Sequence, residues 1–292
     1  GDQEVLFKVL FTKGRIYENR QQLDSSLVWY ETAKDLAELN NNKVDIASCL
    51  IQMGYVYHEK NKSQKGLDLL KEARALAEEA GDQEMEAKAA NGIGRVYSFL
   101  SEFDSSNVFL NQALGINKSM GDKRGMAEIY TNIANNYGRA SQREKAVEHF
   151  LLSQELMREL NDLPGITHTF RNIGVTYFFE GNYPEALQNL HAALQVVEGT
   201  EYHADIIQNL DFLGEVYMTI EDFTNAQLYW KKAEEAYQLA YGEKINPEFL
   251  FKQGRALLLK KDYAGAVNVF LEAERLKKEI GQHIGGDLYW NL

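Results

Sequence analysis

The chain has 292 residues and a formal net charge of −12. This charge argues against sequence-independent binding of nucleic acid or anionic lipid, because both need a cationic protein surface. A single cysteine, Cys49, excludes an intramolecular disulfide framework, and no stretch reaches the roughly 18 apolar residues of a membrane span. We therefore expect no nucleic-acid partner, no direct membrane insertion and a cytoplasmic location. A bacterial periplasm is the alternative if a targeting segment precedes the chain in its parent protein.

Helical patterns recur along the chain in pairs, with a period of 40 residues. In each period, apolar residues at spacings of three and four predict a first helix. A short polar break and a longer second helix follow, and the second helix ends at a residue such as Asn41 or Gly121. The predicted repeats cover residues 7–46, 47–86, 87–126, 127–166, 167–206, 207–246 and 247–286. Residues 287–292, with Trp290, are predicted to begin a truncated eighth repeat.

A small residue lies inside each first helix, always 40 residues from the next: Gly14, Gly54, Gly94, Ala134, Gly174, Gly214 and Gly254. Sixteen residues after each of these stands a large side chain: Tyr30, Leu70, Leu110, Phe150, Leu190, Trp230 and Phe270. Glycine in a helix interior costs about 1 kcal/mol relative to alanine. Its repeated use indicates that the two helices of a unit approach each other closely. We expect the large residue to fill the space between neighbouring units.

A tyrosine stands three residues after six of these seven small residues, and further small residues stand 12 and 19 positions after each of them, as Tyr97, Ser106 and Ala113 follow Gly94. This pattern of glycine, tyrosine, small, large and small residues resembles the tetratricopeptide repeat (TPR) family. Unit five is especially similar, from Phe170 through Gly174 to Tyr177 and from Gly181 to Leu187. The resemblance implies an all-α fold, a right-handed superhelical α-solenoid of about seven antiparallel helix pairs plus the start of an eighth. Residues 1–292 would then form a single array. The common family period is about 34 residues, so the 40-residue period marks a subclass. That subclass is similar to adaptors of spindle orientation and G-protein signalling, and to bacterial TPR sensor regions.

In TPR folds the first helices line a concave groove, and the resemblance implies the same here. The groove-facing positions would lie at −6, −3, −2, +1 and +4 from each repeat glycine, on one helical stripe. Asparagine amides on this stripe can hold the backbone of an extended peptide, and arginines can bind its carboxylates. The predicted peptide-binding residues of the central units are Lys88, Asn91, Arg95, Asn132, Asn135, Arg139, His168, Arg171 and Asn172.

These observations predict a non-catalytic scaffold or adaptor that binds an extended, acidic peptide or partner segment in its groove. No nucleophile, base and orienting residue converge in the sequence, so we expect no catalytic residue and no enzyme activity. We also expect no cofactor and no metal site, since the six histidines form no pair at metal-ligand spacing.

Two other functions fit the same sequence. The chain could be the regulatory input region of a larger bacterial signalling protein, with a kinase, cyclase or transcription regulator as its output. Alternatively, aromatic residues of the last three units, such as Phe178, Phe179 and Phe249, could form a structural homodimerisation module.

Overall fold

The computed structural model describes residues 2–242 and 245–279 of the chain. Within them lie fourteen α-helices and no strand, so the predicted all-α fold class is confirmed. The helices are α1 Asp2–Asn19, α2 Leu23–Leu39, α3 Lys43–Glu59, α4 Ser63–Ala80, α5 Gln83–Phe99, α6 Phe103–Met120, α7 Lys123–Arg139, α8 Arg143–Glu159, α9 Leu163–Phe179, α10 Tyr183–Val197, α11 His203–Thr219, α12 Phe223–Tyr241, α13 Pro247–Leu259 and α14 Tyr263–Glu279. Trp290 and the predicted eighth repeat lie outside the described residues.

The chain divides into two compact units, Gly1–Leu156 and Met157–Leu292. In the first unit α1 packs on α2, α3 on α4 and α5 on α6, and the first helices α3, α5 and α7 lie side by side. The second unit repeats this arrangement with the pairs α9–α10, α11–α12 and α13–α14, and α9 also contacts α11. The predicted helix pairs are thus present in both units. The single uninterrupted array over residues 1–292 stays a prediction.

Close packing at the repeat glycines organises each helix pair. A Cβ atom added at Gly94 would lie 2.7 Å from Cγ of Leu110 and 3.2 Å from the backbone oxygen of Ser106, both on the partner helix α6. The large residues at this position are all buried. Leu70 also lies where a Cβ on Gly92 of the next repeat would be. The large residue therefore fills space inside its own pair as well as between neighbouring pairs, which refines the sequence prediction.

Turns between successive pairs combine a left-handed residue with a helix cap. Gly81 ends α4 with φ of 69°, and the side chain of Asp82 then accepts a hydrogen bond from the backbone N–H of Met85 to begin α5. Gly121 and Asp122 do the same between α6 and α7. These turns leave few helix-end groups unpaired, because glycine adopts positive φ without strain and aspartate is a good N-cap.

The turn inside each pair also contains a left-handed residue, seven positions after the repeat glycine. Only one of these seven residues is glycine, Gly181. The other six are Gln21, Asn61, Ser101, Ser141, Glu221 and Lys261, with φ between 57° and 66°. An L-residue pays about 1–2 kcal/mol to adopt this conformation, so these positions carry backbone strain that glycine would remove.

Replacing Glu221 by glycine is expected to raise the free energy of unfolding by about 1 kcal/mol, because its φ of 62° suits glycine. The matched substitution is Gly181→Ala, at the same turn position with φ of 76°. It should lower the free energy of unfolding by a similar amount. Urea denaturation followed by circular dichroism measures both values. A loss of stability in Glu221→Gly would show that the glutamate contributes more than its backbone strain costs.

Candidate functional site

Three neighbouring first helices of the first unit enclose a pocket of about 240 Å³. The helices are α3, α5 and α7, and the pocket lies at their C-terminal halves. Four of the predicted peptide-binding residues meet there, together with residues of α3 and the end of α5. We call it the arginine pocket, and it is lined by Tyr55, His58, Arg95, Val96, Ser98, Phe99, Asn132, Asn135 and Arg139.

Arg95 is exposed on α5 and lies over an aromatic ring rather than beside an acid. Its guanidinium carbon is 4.9 Å from the centre of the Tyr55 ring. No carboxylate in the described part of the chain forms an ion pair with it. Burial raises the pKa of Tyr55, partly offset by the Arg95 charge, so the phenol stays neutral. The Arg95 charge is therefore available to a ligand.

Arg139 is held in place by neutral groups. Its Nη1 donates to the backbone oxygen of Ser98 at 2.6 Å, and its Nη2 is 3.4 Å from Oγ of Ser101. The guanidinium also lies 5.2 Å from the centre of the Phe103 ring. These contacts fix the orientation of the side chain without neutralising its charge. The arginine pocket thus holds two positive charges, and neither an aspartate nor a glutamate lines it.

His58 forms the wall of the pocket on α3. Its Nδ1 lies 3.0 Å from Oγ of Ser63, and its ring meets Phe99 edge-on at 4.5 Å. Burial, and next the charge of Arg95, lower the pKa of His58 below its ordinary value. The imidazole is therefore neutral around pH 7, where it can donate or accept a hydrogen bond.

An amide bridge separates the arginine pocket from a second pocket on the same helices. Nδ2 of Asn132 donates to Oδ1 of Asn91 at 2.9 Å. The second pocket has a volume of about 250 Å³ and is lined by Glu84, Ala87, Lys88, Asn91, Asn117, Asp122, Arg124, Gly125 and Glu128. Lys88 is paired with Glu84 there. Burial, and next Asp122, raise the pKa of Glu128. This second pocket contains charges of both signs, unlike the arginine pocket.

The three predicted peptide-binding residues of the second unit, His168, Arg171 and Asn172, differ from the arginine pocket because their one guanidinium is paired with an acid. Nη1 of Arg171 lies 3.3 Å from Oδ1 of Asp205, and Nε2 of His168 lies 2.7 Å from the same oxygen. The Arg171 side chain is only 10 % exposed, and burial lowers its pKa. Its guanidinium joins α9 to α11 rather than facing a ligand. Asn172 is half-buried on α9, where its backbone oxygen accepts a hydrogen bond from Thr176.

Sequence reasoning missed several residues of the arginine pocket. Tyr55 and His58 occupy positions +1 and +4 from Gly54, so the positional rule would have found them if it had been applied one repeat earlier. Ser98 follows the same rule from Gly94. Phe99 is 58 % exposed and lies at +5 from Gly94, at the edge of the stripe, where the next repeat has the predicted residue Arg139. Asp205, which neutralises Arg171, lies outside the stripe positions.

The aromatic residues of the last units mostly pack inside the protein. Phe249 is buried, and the ring of Phe251 lies 5.4 Å from that of Phe270. Phe179 is different, because it is 79 % exposed at the end of α9 and contacts Phe178 edge-on. A homodimer through this region stays a prediction.

Two further findings concern the described residues alone. Within residues 2–242 and 245–279, no group of three or more histidine, cysteine, aspartate or glutamate side chains is placed to hold a metal ion. In the same residues, no helix combines the length and the apolar character that crossing a lipid bilayer requires.

Comparison with known proteins identifies the repeat. A family model described as tetratricopeptide repeat matches residues 125–199 and 165–239. No curated protein sequence matches the chain. BtubC (BKLC) from P. vanneervenii is similar in structure, with a TM-score of 0.62, 21 % identity, and coverage of 78 % of this chain and 94 % of that one.

Two further solved structures share the fold. A Rap protein complexed with Competence and Sporulation Factor has a TM-score of 0.61 and 13 % identity over 94 % of this chain and 76 % of its own. A signal transduction ATPase (STAND) protein with a tetratricopeptide repeat sensor, from Pyrococcus horikoshii, has a TM-score of 0.63 and 15 % identity. That match covers all of this chain and 46 % of the other. At these identities the likeness concerns the fold. The family match therefore identifies tetratricopeptide repeats within residues 125–239 of the chain.

Proposed function

We propose that this protein is a non-catalytic scaffold that binds an extended, acidic segment of a partner protein on the inner face of α3, α5 and α7. The observation that carries this proposal is the arginine pocket, where Arg95 and Arg139 have no carboxylate partner among the described residues. Two such charges in a chain of net charge −12 form a local anion-binding site. An acidic side chain or a terminal carboxylate would accept paired hydrogen bonds from them.

The neighbouring amides would hold the backbone of the bound segment. Asn135 is exposed beside the two arginines, and an asparagine side chain offers two donors and an acceptor whatever the peptide sequence. These groups lie on helices whose packing is fixed by buried residues such as Ile93 and Ile133. The site is therefore formed before binding, which reduces the ordering cost that falls on the protein.

The structural neighbours support a binding or regulatory role. One of them, a Rap protein, was solved complexed with Competence and Sporulation Factor. Another contains a tetratricopeptide repeat sensor within a signal transduction ATPase. The second neighbour favours an alternative function, in which this chain is the sensory input region of a larger signalling protein. In that case binding at the arginine pocket would regulate an attached output domain.

A peptide selection tests the proposed function. A random peptide library is selected against the whole chain, and the enriched peptides are titrated by calorimetry. We expect enrichment in aspartate and glutamate. We also expect the Arg95→Gln, Arg139→Gln double variant to bind the selected peptides at least tenfold more weakly, since each lost charge-assisted hydrogen bond is worth about 1.5–3 kcal/mol.

Arg255→Gln is the matched control, because Arg255 is exposed and directly follows Gly254 as Arg95 follows Gly94. The affinity of the Arg255→Gln variant for the same peptides should stay within twofold of the affinity of the unmodified chain. Circular dichroism melting checks that all three chains are equally folded. Selected peptides without acidic residues, or equal affinity in the double variant, would overturn the assignment of the site.

A further inference from the structure

The charge balance of the arginine pocket indicates which anion it suits. One carboxylate carries a single negative charge and would leave one of the two arginines uncompensated. The second pocket, which shares α5 and α7 with the arginine pocket, contains Glu84, Asp122 and Glu128 beside its cations. The arginine pocket contains no such acid, so its excess of two positive charges matches a dianion.

The hydrogen-bond donors of the pocket lead to the same conclusion. A guanidinium has five N–H donors. Three contacts of Arg139 go to oxygen atoms of Ser98 and Ser101, which leaves part of its donor edge available. The guanidinium carbon of Arg95 lies 4.9 Å from the centre of the Tyr55 ring, and Arg95 forms no ion pair with a described residue, so donors that do not contact Tyr55 are also available. With the exposed amide of Asn135, the pocket offers more donors than the two oxygens of a carboxylate can use. A phosphoryl group presents three acceptor oxygens.

We propose that the arginine pocket binds the phosphomonoester dianion of a phosphorylated side chain on the partner segment. This inference rests on the proposed function and narrows its ligand from acidic residues in general to a phosphorylated residue. The two guanidiniums bind the phosphoryl oxygens from α5 and α7, and the Asn135 amide binds the adjoining backbone. Phosphorylation of the partner then switches binding on.

A dianion gives this site a distinctive pH dependence. The second pKa of a phosphomonoester is about 6, whereas a glutamate side chain titrates near 4. Affinity for the phosphorylated ligand should therefore rise about fourfold between pH 5.5 and 7.5, while affinity for a glutamate ligand should not rise.

The titratable groups of the protein near the pocket cannot cause a rise in affinity with rising pH, because their deprotonation makes the site less positive. They are Glu18 on α1, Tyr55, His58 and Glu59 on α3, and Glu128 on α7, beside the permanent charges of Arg95 and Arg139. Tyr55 stays neutral because its pKa is raised. Deprotonation of His58 or Glu128 with rising pH would weaken the binding of any anion. A rise in affinity over this range is consequently a property of the ligand.

The experiment uses the whole chain and three versions of one selected peptide. They carry glutamate, phosphoserine or serine at the peptide's acidic residue whose contribution to affinity is lost in the Arg95→Gln, Arg139→Gln double variant. We expect the phosphoserine version to bind at least tenfold more tightly than the glutamate version at pH 7.5. That preference should disappear in the Arg95→Gln, Arg139→Gln double variant and persist in Arg255→Gln. Arg95→Lys should keep part of the affinity, because it retains the charge but loses the planar donor edge.

Inorganic phosphate and inorganic sulfate serve as competitors, since sulfate stays a dianion at both pH values. Phosphate should compete better at pH 7.5 than at pH 5.5, and sulfate equally at both. Equal binding of the glutamate and phosphoserine peptides would overturn this inference and leave the proposed function intact. Inorganic phosphate that binds as tightly as the phosphopeptide would also overturn it, because the ligand would then be a small phosphate. Peptide binding that does not depend on either arginine would refute both proposals.

Discussion

Gly94→Val is expected to lower the free energy of unfolding by about 2–3 kcal/mol, whereas Gly115→Ala should raise it by about 0.5–1 kcal/mol. Both glycines belong to the third helix pair and lie inside a helix, but their surroundings differ. The first carbon added at Gly94 would lie 2.7 Å from Cγ of Leu110. A carbon added at Gly115 meets no heavy atom within 4 Å apart from its chain neighbours and the backbone of its own helix. The two substitutions therefore separate helix packing from helix propensity.

The fourth repeat has a larger residue than glycine at the contact between its two helices. It carries Ala134 at the glycine position, and Ala134 and the facing Phe150 are both buried. A methyl group is thus tolerated where the pair has adjusted to it, so Gly94→Ala should cost less than Gly94→Val. Urea denaturation followed by circular dichroism measures the stabilities. Hydrogen exchange should place the loss of protection in α5, α6 and the pairs next to them, because repeats interact mainly with their neighbours. Unchanged stability in Gly94→Val would contradict the role given to the repeat glycines.

The helix pairs could be predicted from the sequence because the packing contact repeats with the same period as the residues that make it. Gly94 and Leu110 recur as Gly54 and Leu70, so a 40-residue comparison finds them without a structure. The left-handed turn residues were harder to predict. Glu221 and Lys261 have side chains that do not favour positive φ, and the conformation is imposed there by the two helices that the turn connects.

The candidate site could be predicted only as a set of positions. Arg95 and Arg171 occupy the predicted stripe, but Arg95 faces a pocket without acids and Arg171 is paired with Asp205. The difference depends on a residue 34 positions further along the chain, on the next first helix. Whether a stripe residue is available to a ligand is therefore decided by the neighbouring repeat. A pattern read within one repeat does not contain that information.

Trp230→Ala should have the largest effect on stability of the changes considered, with a loss of about 3–5 kcal/mol. Trp230 is 2 % exposed and occupies the space that Gly214 leaves on the facing helix. Alanine would leave small residues on both sides of this contact, and the cavity between them could collapse only partly. The measurement is again urea denaturation, with fluorescence avoided because the substitution removes a tryptophan.

Trp230→Phe is the matched substitution and separates filling of the space from the polar contact of the indole. Nε1 of Trp230 donates to Oδ1 of Asp211 at 3.0 Å, and Lys252 contacts the same oxygen at 2.6 Å. Phenylalanine would lose the first hydrogen bond, but Asp211 would keep Lys252 as its partner, so we expect a cost of about 1 kcal/mol. Phe150 and Phe270 already occupy the equivalent position in two other repeats. If Trp230→Phe cost as much as Trp230→Ala, the indole–aspartate contact would be what stabilises this pair. A small cost would instead show that any large side chain facing the repeat glycine is sufficient.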